Sequence, residues 1–200
     1  MKKNTITTFI LSLITFFVVN GQVYTKYSID RKNIRIKGTS NLHDWEMMVE
    51  KVKGIMDADV KNNKIVSINS LTLTVDANSI TSGKSIMDNK TYKALKSDLY
   101  SDIQFTLSEI LEIKTSDKGQ LIRARGILSV AGIKKNIPVK VTGSLSDDGS
   151  MSFTGNKSLK MSDFKIEPPT AIFGTLKTGD LVNIEFDVLF KKYSVLTKNY

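Results

Sequence analysis

Ser85-Ile-Met-Asp-Asn-Lys-Thr-Tyr-Lys-Ala-Leu-Lys-Ser-Asp-Leu-Tyr-Ser-Asp-Ile-Gln-Phe-Thr-Leu107 is where the hydrophobic period of this 200-residue chain changes from helical to strand-like. In its first half, Met87, Thr91, Ala94 and Leu95 fall on one stripe at the spacing of an amphipathic helix. In its second half, Ile103, Phe105 and Leu107 alternate with Gln104 and Thr106, as on a half-buried strand. Ser85 with Asp88 three residues later matches the capping box that opens a helix, so a helix is expected from Ser85 to Lys96. Nearly every other segment reads as strand. The apolar stripe of this helix therefore has only a sheet to cover, and what it covers is the first candidate for a functional site.

Before this stretch, Ile34 and Ile36 alternate with Arg35 and Lys37, and Trp45, Met47 and Val49 alternate with Glu46 and Glu50. Gly54, inside the run that follows, reads as a bulge or a tight bend. Asn62-Asn63 is a turn, and Leu71, Leu73 and Val75 then alternate with Thr72 and Thr74. After it, the odd positions Phe105, Leu107, Leu111 and Ile113 stay apolar past one interruption at Glu109. Lys118-Gly119 turns the chain into a strand with Ile122, Ala124, Gly126, Leu128 and Val130 on one face. A hairpin loop is expected from Gly132 to Asn136, leading to Ile137, Val139, Val141 and Leu145. Asp147-Asp148-Gly149 is the next turn, followed by Met151 and Phe153, with Leu159 and Met161 resuming their face. Phe164 to Thr178 reads as irregular, because Pro168 and Pro169 cannot donate to a ladder. It nevertheless carries Phe164, Ile166, Ile172 and Phe173, too apolar a set for a plain solvent loop. Val182, Ile184, Phe186, Val188 and Phe190 form the last strand. About eight strands in a meander with short connections and a single helix fit an antiparallel sandwich or a closed barrel.

Composition bounds the class of protein. An apolar content of 40% builds one core in a chain of this length. Residues 1–21 read as a signal peptide: Lys2 and Lys3 precede an apolar run from Ile6 to Val19, and Val19-Asn20-Gly21 supplies small residues for cleavage before Gln22. The run is shorter than the roughly 20 apolar residues that span a bilayer and is broken by Ser12 and Thr15. Residues 22–192 are then the folded domain and 193–200 a tail, in an exported protein, periplasmic or secreted. The absence of cysteine excludes disulfides, thiol catalysis and thiolate metal sites. The formal charge of +9 becomes +7 without Lys2 and Lys3. Because these positives are spread out, they describe solvated surface and weak contact with an anionic membrane surface rather than nucleic-acid binding.

Catalytic signals are sparse. His43 is the sole histidine, in Asn41-Leu42-His43-Asp44-Trp45, without the elbow of a serine hydrolase or a recognisable metal-ligand set around it. Local hydrogen bonding is the simpler reading of it. No glycine-rich phosphate loop is present, and no calcium loop follows Asp147-Asp148-Gly149. Nothing points to a cofactor or an enzyme.

Three segments resemble the YceI-like polyisoprenoid-binding family: the helix and strand from Met87-Asp88 through Ala94-Leu95 to Ile103-Gln104-Phe105, the hairpin Gly126 to Val139, and the end Gly179-Asp180-Leu181-Val182-Asn183-Ile184. The hairpin is the most specific. It resembles the family's Gly-x-Leu-Thr-x-x-Gly-Val-Thr-Lys run position by position, with Ser129 and Lys134 as substitutions. The chain departs from the pattern where many members carry Arg-Asp and Tyr-Pro, having Met87-Asp88 and Tyr100-Ser101 instead. The resemblance, covering about Tyr24 to Lys192, implies an all-β, eight-stranded antiparallel lipocalin-like barrel with the helix covering a flank or mouth. It further implies an apolar cavity that holds an isoprenoid-like or other long lipid chain without chemistry. On that reading the wall contacts are Trp45, Met47, Leu73, Val75, Phe105, Leu107, Leu128, Val130, Phe153 and Phe186. Met87, Leu95, Met161, Phe164 and Phe173 come from the covering elements. The competing reading is an envelope interaction module with a filled core. Pairing of barrels into a homodimer stays open.

Overall fold

Alternation of apolar and polar residues over most of the chain leaves it one economical solution, a sheet rolled so that a single face is buried. A computed structural model describes residues 26–171 and 174–193. Its strands are β1 (Lys26–Ser40), β2 (Trp45–Val49), β3 (Val52–Lys61), β4 (Lys64–Asp76), β5 (Ile80–Thr81), β6 (Asp102–Ser116), β7 (Gly119–Val130), β8 (Ile133–Leu145), β9 (Met151–Lys160), β10 (Thr170–Ala171) and β11 (Leu176–Lys192), with one helix, α1 (Ser85–Leu95). The expected signal peptide and the tail beyond Tyr193 lie outside the described residues. No described helix is long and apolar enough to cross a membrane.

Strands β1, β3, β4, β6, β7, β8, β9 and β11 pair antiparallel in that order. The barrel closes where β11 returns to β1, from Tyr27 opposite Lys192 to Ser40 opposite Thr178. Short β2 continues β3 beyond Glu50-Lys51 and lies against β1 opposite Arg35–Gly38. Likewise β5 continues β4 past a single 3₁₀ turn (Ala77–Ser79) and pairs with β2. The eight-stranded antiparallel barrel with one helix is thus the fold.

Several local expectations are corrected. The hairpin turn is Ala131-Gly132 alone, at φ +48° and +79°. That left-handed pair is the two-residue turn whose twist matches the flanking strands, so Lys134 to Asn136 belong to β8. Gly54 keeps regular register opposite Leu73, and the irregularities of β3 fall at Asp57/Ala58 and Asp59/Val60. Leu111 does not face the core. Register shifts at Leu107/Glu109 and Ile110/Glu112 swap the faces of β6, turning Ile110 inward and leaving Leu111 47% exposed. The final strand starts at Leu176, well before Val182, and Met161 opens a 3₁₀ turn (Met161–Phe164) instead of extending β9. Helix α1 has no capping box either. Lys84 is its N-cap without a side-chain bond, and Asp88 turns back to the preceding loop.

The barrel wall parts in two places, and each parting is bridged. Below the pair Thr72–Thr106, β4 and β6 separate. There the buried Gln120 side chain accepts from Ile65 N–H and donates to its carbonyl, both at 2.8 Å, replacing the missing ladder. Above the pair Val141–Gly155, β8 and β9 separate. In that upper region Phe164 and Ile166, both buried, pack with Ile133, Ile137 and Leu159. The end opposite the helix is plugged by fully buried Tyr27, Met56, Ile65, Ile122, Met151 and Phe190, with the Phe153 and Phe190 rings edge to face at 5.8 Å.

Candidate functional site: an apolar cavity beneath the helix

Inside the closed wall is a cavity of about 780 Å³, within the roughly 300–1,000 Å³ usual for small-molecule sites. It runs from Phe153 and Val188, with Phe190 of the plug as its floor, to a mouth framed by α1, the β1–β2 loop, the end of β9 and the start of β11. Carbon dominates its lining.

Large aromatic side chains on the inner face would ordinarily fill such a barrel. Here four of them lean onto a glycine of an adjacent strand. Trp45 lies over Gly38, its partner across β1 and β2. Phe186 lies over Gly155, where a Cβ would stand 2.7 Å from the ring. Phe105 covers Gly126 on β7, and Phe153 lies against Gly143 with 3.1 Å to a Cβ built there. A ring seated on a glycine lies along the wall instead of standing into the lumen. Glycine therefore keeps the barrel hollow by offering room to a neighbour's ring.

At the mouth, α1 turns Met87, Thr91, Ala94 and Leu95 towards the lumen, and none of its residues is fully buried. A helix so lightly packed owes its position to tethers. Asp88 supplies the strongest: Ser82 N–H and hydroxyl, and the Thr81 hydroxyl, all donate to its carboxylate at 2.7 Å. Burial pushes the Asp88 carboxyl upwards, but the bonds from Ser82 and Thr81 outweigh it and hold the group below the ordinary value. Lys90 Nζ donates to the Thr170 carbonyl at 2.7 Å, joining α1 to β10. Lys96, at φ +53°, ends the helix. Across the mouth, Asp180 accepts from the Ser162 hydroxyl and N–H at 2.6 and 2.8 Å, which keeps its carboxyl below the usual range. Trp45 Nε1–H donates to the Thr39 carbonyl at 3.0 Å, so its polar atom is satisfied while its carbon face lines the cavity.

Of the side chains expected in the site, Trp45, Met47, Leu73, Val75, Phe105, Leu107, Leu128, Val130, Phe153 and Phe186 line the wall, and Met87, Leu95, Met161 and Phe164 line the mouth. Phe173 lies outside the described residues. His43 sits on the rim, its backbone N–H donating to Ser40 Oγ and its Nδ1 2.8 Å from the Asp44 carbonyl. These are the local bonds expected of it. Among the described residues no three His, Asp or Glu side chains gather as a metal-ligand set.

Two features escaped the sequence reading. Ile110 lines the cavity only because of the bulges in β6. Lys157 also lines it, on the inward row of β9 between Gly155 and Leu159 and opposite Ile184. The shared parity of Met151, Phe153, Gly155, Lys157 and Leu159 was the available signal.

Comparison with known proteins matches the YceI-like domain to residues 27–190. No curated protein sequence matches the chain. The fold is similar to that of BcnA from Burkholderia cenocepacia, at 18% identity and a TM-score of 0.64, covering 80% of this chain and 98% of that one. It is also similar to a polyisoprenoid binding domain from Saccharophagus degradans implicated in plant cell wall breakdown, at 14% identity and a TM-score of 0.66, covering 84% and 98%. A third likeness, at 18% identity and a TM-score of 0.58, is to the Campylobacter jejuni YceI protein, covering 98% of this chain and all of that one.

Proposed function

This chain belongs to the YceI-like family, and from that premise we propose that it is an exported, non-catalytic carrier that holds one long apolar chain in its barrel. The observation that carries the reading is the cavity of about 780 Å³, lined almost wholly by carbon and opening beneath α1. Each methylene group moved from water into such a space contributes roughly 0.8 kcal/mol, so a long lipid tail needs no other source of affinity. A polyisoprenoid binding domain among the similar structures supports a tail of isoprenoid type. An empty space of this size is unexpected for the alternative, an interaction module with a solid core. Export rests on Lys2-Lys3 and the apolar run to Val19, and a mature chain beginning at Gln22 in the extracytoplasmic fraction is its expected outcome by N-terminal sequencing.

Native mass spectrometry of the gently purified protein tests the binding. The expected result is a lipid adduct that is lost in Val130→Phe, which places a larger side chain in the cavity wall. If wild-type protein carries no adduct and binds no apolar fluorescent probe, the proposal fails.

A further inference from the structure

Lys157 is a half-buried cation on the inward face of an otherwise apolar wall. Its neighbours on that face are Gly155 and Leu159, and across the ladder it meets Ile184. Lys84, Lys90 and Lys160 stand at the same mouth, whereas among the described residues no Asp or Glu lines the cavity. Among the described residues none of these four lysines has a carboxylate within 4.0 Å, since the ion pairs all lie elsewhere. Two acids near the rim are hydrogen-bonded elsewhere, Asp88 by Ser82 and Thr81 and Asp180 by Ser162. Of the four lysines, Lys160 lies near enough to Asp180 to lower its pKa, and Lys90 donates to a neutral carbonyl. The Lys84 and Lys157 side chains are left without a polar partner among the described residues, and of these two Lys157 is the one set in the barrel wall.

Desolvating an ammonium group without a counter-charge is unfavourable. The lysine stem can lie along the apolar wall while its head reaches towards the mouth, where Lys84, Lys90 and Lys160 also stand. Resting on the lipid-binding reading above, we propose that the ligand is an amphiphile with an anionic oxygen headgroup, phosphate or carboxylate, seated at Lys157 beneath Lys84 and Lys90 with its tail in the cavity. Lysine is a point-charge partner for such groups, and the head adds to the affinity of the tail and sets orientation and choice.

The test compares headgroups on matched tails, using full-length protein. Geranylgeranyl phosphate is set against geranylgeraniol, and oleate against oleyl alcohol, by Trp45 fluorescence titration at low and high salt. At least one anionic probe is expected to bind roughly tenfold to a hundredfold tighter than its alcohol, with the ratio falling at high salt and in Lys157→Gln and restored in Lys157→Arg. Which pair shows the larger ratio distinguishes a phosphate from a carboxylate head. Equal binding of acid and alcohol, or a ratio unchanged in Lys157→Gln, overturns the headgroup proposal while leaving lipid binding intact. If none of the four probes binds, both readings fall.

Discussion

Replacing Gly126 with alanine tests why the barrel is hollow. A Cβ at that position would clash with the edge of the Phe105 ring and stand 2.7 Å from the Thr106 carbonyl oxygen. The carbonyl belongs to the β6–β7 ladder and cannot retreat without breaking register, so the ring must leave its seat and turn into the lumen. Over-packing of this kind costs about 1–3 kcal/mol. At about 2–4 °C per kcal/mol for a domain of this size, the melting temperature should fall by roughly 2–12 °C. The displaced ring also takes cavity space, so capacity for an apolar fluorescent probe should drop with it. Phe105→Leu removes the ring and by itself should cost about 1 kcal/mol. Combined, the two changes should cost less than their sum by about 0.5–3 kcal/mol, because the clash needs both partners. Thermal unfolding and probe titration of the four proteins provide the cycle. A Gly126→Ala protein with unchanged stability and capacity, or strict additivity in the cycle, refutes the seating of rings on glycines.

Further expectations concern the plug, the helix tether and the mouth. Gln120→Leu strands the buried N–H and carbonyl of Ile65, and should destabilise by about 2–5 kcal/mol in urea unfolding with probe binding retained at saturating stability. Asp88→Asn weakens three bonds to a carboxylate and should cost about 1–2 kcal/mol. Because the folded-state pKa of Asp88 lies below its ordinary 3.8, its contribution is complete above that value and disappears as the pH falls through the lower one. The stability gap between wild type and Asp88→Asn should therefore close in acid, and a gap that persists there would contradict the tether. Trp45, the single tryptophan, lines the cavity, so its emission should shift on binding an apolar chain. Emission that ignores a bound lipid would mean the tail does not reach β2.

Much of this architecture could be read from alternation alone. Parity along a strand is a local property, and the wall residues from Trp45 to Phe186 follow from it wherever register stays regular. The helix was legible from its 3.6-residue stripe, although its anchoring was not. Asp88 looked like a cap because it stands three residues after Ser85, whereas its partners are Thr81 and Ser82 in a loop whose path depends on β5. Leu111 was misassigned for a related reason. Whether a strand carries a bulge depends on its partner's register, and β6 bulges only because β7 sets its pairing. Lys157 shows a different limit, since its parity was readable but a charged residue on an inward row makes sense only once the row is known to face a cavity.

By itself, the sequence determined the strand order of a meander, the inward faces, the presence of one amphipathic helix and the likeness to a lipid-holding family. These depend on neighbours a few residues away. Only the tertiary structure decided that the barrel is hollow, that its wall parts twice and is closed by Gln120 and Phe164, and that a cation stands inside the mouth. Each of those depends on where residues distant in sequence place their volume, and a glycine reads as empty space until the ring that lies on it has been located.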